Sequence, residues 1–258
     1  MQIIEWPRFL EDTHPEEKPS AVTVGVFDGV HRGHQALIEQ VVSQQKDTVP
    51  AVITFVQSRY KKAGNILSFR QKIAIFENLG VSLTIVIEYS ESFRRTTGAE
   101  FLDILQNHGN MRFMAVGSNF RCGYQLDTDA AAIQKYNALN NIPTCIVQPL
   151  TENAEPISSS HIRAAITQGN LKAASAMLGR PFTVDLAGAS VVHTGSGSAY
   201  DIASQGRILP PPGRYPVVFP GKNSDTSIKN PVEIQVEEGT VIISGDLPVK
   251  PEFVEFLT

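Results

Sequence analysis

The sequence predicts an α/β protein: a doubly wound parallel sheet followed by a small β-rich domain. Three observations carry this. Up to about Arg180, short runs rich in Val, Ile and Phe alternate with stretches of helical spacing. Those runs are apolar throughout rather than alternating, as strands covered on both faces are. Beyond Arg180 the texture changes to Gly195-Ser196-Gly197-Ser198, Pro210-Pro211-Pro212 and a strictly alternating Val232–Val236, with no long helical pattern. The boundary is expected near Gly179–Phe182, giving domains 1–181 and 182–258.

The elements follow in order. Val22–Phe27 is the first strand candidate; it runs into a turn rich in glycine and histidine, after which Gln35–Val42 reads as a helix. Ala51–Phe55 is the second strand. Ser68 and Gln71 have capping-box spacing, in which two side chains satisfy free backbone N–H groups reciprocally, so a helix should open there. Leu83–Ile87 is the third strand, and Thr97 with Glu100 repeats the capping-box spacing. Gly80 and Gly109 come just after these two helices, where a left-handed C-terminal cap is expected. Met111–Val116 and Thr144–Val147 complete the first domain's strands. Right-handed crossovers between such strands place the functional crevice at their C-terminal ends. In the second domain, Val232–Val236 and Thr240–Ser244 flank a turn at Glu238-Gly239 and read as a hairpin.

Composition narrows the function classes. The chain has 258 residues, 42% hydrophobic and 19% charged, as soluble globular proteins do. Its net charge of -4 argues against a nucleic-acid-binding surface. Two cysteines, Cys122 and Cys145, make neither a disulfide framework nor a four-cysteine zinc site, so a reducing cytoplasm is the expected location. Met1–Lys18 has no signal-peptide profile and no apolar run reaches membrane-spanning length, so no membrane partner is expected.

The densest chemical signal is Val24-Gly25-Val26-Phe27-Asp28-Gly29-Val30-His31-Arg32-Gly33-His34. Gly25, Gly29 and Gly33 let backbone approach a ligand closely, and a helix opening near Gly33 offers N–H groups and partial positive charge to an anion. His31 and His34, three apart, can be turned toward one phosphate. They can equally be two metal ligands, though no further ligand cluster stands nearby, or surface residues of a glycine-rich turn. A second cluster, Ile157-Ser158-Ser159-Ser160-His161-Ile162-Arg163, opens a helix with hydroxyl caps. Arg163, one turn inside, either forks onto a phosphate reached by the serines or is a solvated arginine. The third patch, Gly117–Tyr124, follows a strand; Phe120 or Tyr124 is placed either to contact a planar ring or, for Phe120, to anchor the loop in the core.

Together these segments resemble the adenylyltransferase module of bacterial FAD synthetases, which are Rossmann-like nucleotidyltransferases of the His-x-Gly-His type. Gly25–His34 is similar to the family's first motif, Ile157–Arg163 to its Ile-Ser-Ser-Thr/Ser-x-Ile-Arg motif, and Gly117–Gly123 to its Gly-x-Asp/Asn-Phe-x-Phe-Gly loop. Leu178–Pro181 resembles the stretch closing the module, and the likeness covers about residues 20–182. It implies that FMN and ATP, with Mg²⁺, give FAD and pyrophosphate. It also implies catalytic roles for His31, His34, Ser159 and Arg163, an ATP site of Gly25, Val26, Phe27, Asp28, Gly29, Gly33 and Ser160, and an FMN site of Asn119, Phe120 and Phe55. It assigns no metal ligands. Alternatives are another phosphorylated acceptor, or a flavin- or nucleotide-binding protein without catalysis.

Three departures stand out. Thr54-Phe55-Val56-Gln57-Ser58-Arg59 lacks two prolines usual in the family, with Arg59, Lys61 or Lys62 as substitute charges or solvated residues. Cys122 stands where an aromatic is usual and reads as a small apolar replacement. The C-terminal part resembles a riboflavin kinase β-barrel around Gly206–Tyr215 but has no Pro-Thr-Ala-Asn, so a shortened barrel without kinase activity is expected.

Overall fold

A computed structural model describes residues 1–11, 18–56, 64–195, 197–221, 228–245 and 250–258. The chain forms two compact units. The first comprises Met1–Phe27, Gly33–Val56 and Ile73–Leu150; the second comprises Asp28–Arg32, Gln57–Lys72 and Thr151–Thr258.

The elements up to Val147 are β1 (Gln2–Glu5), α1 (Trp6–Glu11), β2 (Ser20–Val24), α2 (Arg32–Val42), β3 (Val49–Phe55), α3 (Phe69–Asn78), β4 (Leu83–Ile87), α4 (Glu91–Arg94), α5 (Gly98–Asn107), β5 (Met111–Gly117), β6 (Arg121–Cys122), β7 (Thr128–Asp129), α6 (Ala130–Leu139) and β8 (Thr144–Val147). Six of these strands form a parallel sheet in the order β1-β4-β3-β2-β5-β8. Every residue of β2 and β4 is buried, which accounts for runs that are apolar but for Ser20, Thr23 and Thr84. From β2 the chain steps outward through β3 and β4, then returns to put β5 on β2's other side. The ends of β2 and β5 therefore mark the switch point, where loops diverge and leave a crevice.

The five strands expected from sequence are all present. The edge strand β1 is an addition: a short segment in which only Ile4 is buried carries too little periodicity to be read. Val22–Phe27 leaves the sheet early, at Val24, because Phe27 takes a left-handed φ of 52°. Both capping boxes form: Ser68 N–H donates to Gln71 Oε1 at 2.9 Å, and Thr97 N–H to Glu100 Oε2 at 2.8 Å. Gly80 has the expected positive φ, but Gly109 does not; the left-handed residue there is Asn110. Gly109 is needed for closeness instead, since a Cβ would lie 2.7 Å from the Leu105 carbonyl oxygen.

In the second unit a hairpin of β9 (Thr151–Glu152) and β10 (Glu155–Pro156) precedes α7 (Ser159–Thr167) and α8 (Leu171–Leu178). Next come β11 (Thr183–Asp185), β12 (Ser190–Thr194), β13 (Gly197–Asp201), β14 (Gly213–Phe219), β15 (Ile228–Glu237), β16 (Thr240–Ser244) and β17 (Phe253–Phe256). They form an antiparallel sheet in the order β11-β17-β14-β15-β16-β13-β12, half-barrel-like in form. The expected hairpin is β15–β16, turning at Glu238-Gly239. Phe182 stacks on Phe256 at 5.5 Å in the unit's core. Arg70 grips the buried Asp185 with two donors, Nε to Oδ2 at 2.7 Å and Nη2 to Oδ1 at 2.6 Å. Burial works to raise the Asp185 pKa, but bonds from Arg70, Ser68 and the Ala187 N–H outweigh it and hold the carboxyl below its ordinary value.

Removing the guanidinium leaves that buried carboxylate with only the Ser68 and Ala187 bonds and the more distant Arg207, at 4.0 Å. Arg70→Ala should cost about 3 kcal/mol of stability at neutral pH, read by urea unfolding. Because the folded pKa is depressed, the difference should shrink only in acid, as Asp185 takes up its proton.

Candidate active site

Where β2 and β5 diverge, the first unit encloses a cavity of about 440 Å³. Gly25, Val26 and Phe27 from the loop after β2 line it, together with His34 in the first turn of α2. Phe55 closes β3, and Gly117, Asn119 and Phe120 come from the loop after β5. Tyr89, Phe93 and Phe101 complete a largely aromatic lining, with Phe93 edge-on to Phe55 at 5.9 Å and to Phe101 at 6.1 Å. Arg94, Thr96 and Arg121 add polar groups. Such a lining suits a flat heteroaromatic ring with a few polar substituents.

Local bonds hold these walls. Thr54 Oγ donates to the Val26 carbonyl at 3.2 Å, and the Phe120 N–H to the Gly117 carbonyl at 2.9 Å. Phe27 packs edge-on against His34 at 5.1 Å and Phe76 at 5.5 Å, so the imidazole is oriented by a ring itself fixed in the core. Gly123, at φ 83°, passes so close to α5 that a Cβ would fall 2.3 Å from the Gly98 nitrogen. Cys122 is free and lines the cavity, and burial pushes its thiol up to about 11. It therefore stays protonated, as the apolar reading of that position requires.

The second unit holds the loop Asp28–Arg32. Asp28 is 3% exposed and is gripped from several sides. Its Oδ1 accepts the Ile66 N–H at 3.0 Å, its Oδ2 accepts Arg163 Nη2, and its carbonyl accepts Ser159 Oγ at 2.7 Å. Arg163 Nε donates to the Gly64 carbonyl at 3.0 Å. Arg180 donates to the carbonyls of Gly29, at 2.5 Å, and Val30, at 3.0 Å. These contacts over-determine a strained backbone: Gly29 has φ 88°, and Val30, a β-branched residue, has φ 39°. His31 follows at once, buried, its pKa lowered to about 4 by that burial first and by Arg180 next, against the pull of Asp28. It is thus a neutral donor at physiological pH rather than a second positive charge.

The structure gathers Gly25, Val26, Phe27, His34, Phe55, Asn119 and Phe120 into one cavity, and Asp28, Ser159 and Arg163 into one clamp. Ser158 is the N-cap of α7, accepting the His161 N–H at 3.2 Å, and Ser160 is exposed on the same turn. Gly33 begins the first unit's next segment, within α2. Gln57–Arg59, Lys61 and Lys62 lie outside the described residues. Sequence reasoning missed Lys72, which is 0% exposed, and the role of Arg180. Lys72 stands four residues before the buried Phe76, on the same face of α3, and that spacing was its available sign.

Among the described residues, no group of three or more His, Cys, Asp or Glu is placed to hold a metal ion, and no helix is long and apolar enough to cross a membrane. In comparisons with known proteins, residues 13–161 match the family model for FAD synthetase. The chain is 29% identical over 181 residues to the bifunctional riboflavin kinase/FMN adenylyltransferase of Escherichia coli strain K12, covering 67% of this chain and 57% of that one. It is 29% identical over 174 residues to the protein of the same description from Buchnera aphidicola subsp. Acyrthosiphon pisum, covering 64% and 56%. The Bacillus subtilis counterpart is 29% identical over 228 residues, covering 80% and 71%. The match thus spans little more than half the length of the first two relatives. A crystal structure described as a macrolide-efflux protein from Streptococcus pneumoniae shares the fold, with TM-score 0.81 and 23% identity over 99% of this chain and 89% of that one. With the family model matching more than half its residues, the chain belongs to the FAD synthetase family.

Proposed function

We propose that this chain is an FMN adenylyltransferase, making FAD and pyrophosphate from FMN and ATP, and that it has no riboflavin kinase activity. The observation that carries the first part is the cavity at the β2/β5 switch point, in which His34, Phe55, Asn119 and Phe120 converge from separate segments. The flavin ring takes the aromatic lining. An FMN phosphate oxygen attacks the α-phosphorus of ATP, the bond to the β-phosphate breaks, and pyrophosphate leaves. No covalent intermediate is required, so the protein contributes positioning and charge stabilisation. His34, Gly33 and the N-terminus of α2 face developing charge, and His31 adds a neutral donor. Ser159, Ser160 and Arg163 take the β- and γ-phosphates, with Arg163 exchanging its bond to Asp28 for the anion. Mg²⁺ accompanies ATP and neutralises part of its phosphate charge when bound. Residues 1–181 serve as the adenylyltransferase module. Residues 182–258 serve as a kinase-like β domain in which the missing Pro-Thr-Ala-Asn removes a hydroxyl and an amide for a nucleotide's metal.

His34→Ala should lower FAD formation about 100- to 1,000-fold while the chain stays folded, read as pyrophosphate release from ATP, Mg²⁺ and FMN. Wild-type turnover in that variant would refute the assignment, and turnover with another phosphorylated acceptor but not FMN would refute the choice of flavin. Riboflavin with ATP and Mg²⁺ should yield no FMN by mass spectrometry. His31 predicts a pH effect on stability. The unfolded chain takes up its proton near 6.5 whereas the folded chain resists until about 4, so stability falls as pH drops across that interval. The size is roughly 3 kcal/mol at most, and His31→Gln should abolish that part of the acid sensitivity in urea unfolding.

A further inference from the structure

Within the second unit, the guanidinium of Arg163 has two partners of different kind. Its Nη2 donates to the Asp28 carboxylate, and its Nε donates to the Gly64 carbonyl at 3.0 Å. The function proposed above asks Arg163 to leave Asp28 for a phosphate and gives Gly64 no part. Yet Gly64 is itself tightly held. Its φ is 69°, and a Cβ there would lie 3.0 Å from the Ile208 nitrogen and 3.2 Å from the Arg207 carbonyl carbon. The next residue fixes that approach. The Asn65 N–H donates to the Gly206 carbonyl at 2.8 Å, the Ile208 N–H donates to the Asn65 carbonyl at 3.1 Å, and Asn65 Nδ2 adds a longer bond to Gly206 at 3.3 Å. One residue further on, the Ile66 N–H donates to Asp28 Oδ1 at 3.0 Å. Successive residues thus carry a contact with Arg163, a bridge to Gly206–Ile208 and a contact with Asp28.

We propose that Gly64 is a positioning residue for ATP: its carbonyl is the pivot that keeps Arg163 in place when the guanidinium exchanges Asp28 for a phosphate, and the β domain holds that pivot through Asn65. The proposal rests on the assignment of Arg163 to ATP made above. Its logic is geometric. A guanidinium is a rigid plane whose donors point in fixed directions. A bond at Nε leaves the outer Nη1–Nη2 edge to fork onto a phosphate. Were both bonds surrendered, the side chain would have to be ordered again as ATP arrives, at a cost in affinity. Held at Nε, it gives up one bond and keeps its aim. Glycine is required at the pivot because a β-carbon would push the segment off Ile208, and other residues resist that φ. Residues 182–258, which supply Gly206–Ile208, then have a task in adenylyl transfer that needs no kinase chemistry of their own.

The test is the affinity of the full chain for ATP with Mg²⁺, by calorimetry on variants shown to be folded by circular dichroism. Gly64→Ala should weaken ATP binding on the order of 10-fold and leave FMN binding unchanged. Arg163→Gln should weaken ATP binding at least as much. Adding Gly64→Ala to Arg163→Gln should then cost nothing more, because the pivot has no guanidinium left to hold. A merely structural role would instead multiply the two losses. If Gly64→Ala does not fold, Asn65→Asp takes its place, setting a carboxylate oxygen against the Gly206 carbonyl while the glycine stays. If Arg163→Gln does not fold, Arg163→Lys keeps a charge beside Asp28 and carries the same comparison. Unchanged ATP affinity in Gly64→Ala, an equal loss toward FMN, or losses that multiply in the double variant overturns the role of Gly64. If Arg163→Gln binds ATP like the parent chain, the Arg163 assignment falls and the Gly64 proposal with it. If it loses affinity while Gly64→Ala does not, only the Gly64 proposal falls.

Discussion

The buried carboxylate of Asp28 is the constraint on which the second unit's loop depends. Through it, a backbone amide of the segment leading into α3 and a guanidinium of α7 are tied to one short stretch of chain. A serine hydroxyl on the Asp28 carbonyl and the Arg180 fork on the next two carbonyls complete the restraint. Val30 would not hold a left-handed conformation alone, at a cost of about 1–3 kcal/mol. It does so here because the Asp28 carboxylate and the carbonyls of Asp28, Gly29 and Val30 are all bonded. Strain of this kind sets the direction of the residues that follow, and the histidine after Val30 inherits a fixed place and a neutral state.

Charge distribution follows the same economy. The chain is acidic overall, at -4. Some of its cations are nonetheless shielded, among them Arg163, Arg180 and Lys72, where low polarity makes each worth more than on the surface. The same shielding keeps His31 and Cys122 uncharged, so burial selects which groups carry charge and which only shape the walls.

Much of this was legible beforehand, for physical reasons that differ by element. Leu83–Ile87 is buried at every position and apolar but for Thr84, so it was read to the residue. Capping boxes are local chemistry and were read from spacing alone. The edge strand β1 was not, because only Ile4 of its four residues is buried. The end of β2 was misplaced because Phe27 looks like a strand residue, and only its φ shows the turn. Within the cavity, the motif matches singled out His34, Asn119 and Phe120, which all line it. They did not forecast that Arg163 and Ser159 would be engaged with Asp28, since an arginine near serines reads the same whether it awaits a phosphate or closes a loop. Lys72 was hidden by the usual expectation that lysine is solvated.

The switch point between β2 and β5 has an evolutionary consequence. Two loops leave neighbouring strands in different directions, and each is anchored by its own strand and its own bonds. One can therefore drift while the other is held. The loop after β2, braced and strained, tolerates few replacements. The loop after β5 carries the small Cys122 in the cavity wall and the left-handed Gly123 next to it. Change in this architecture is thus easier in one wall of the crevice than in the other.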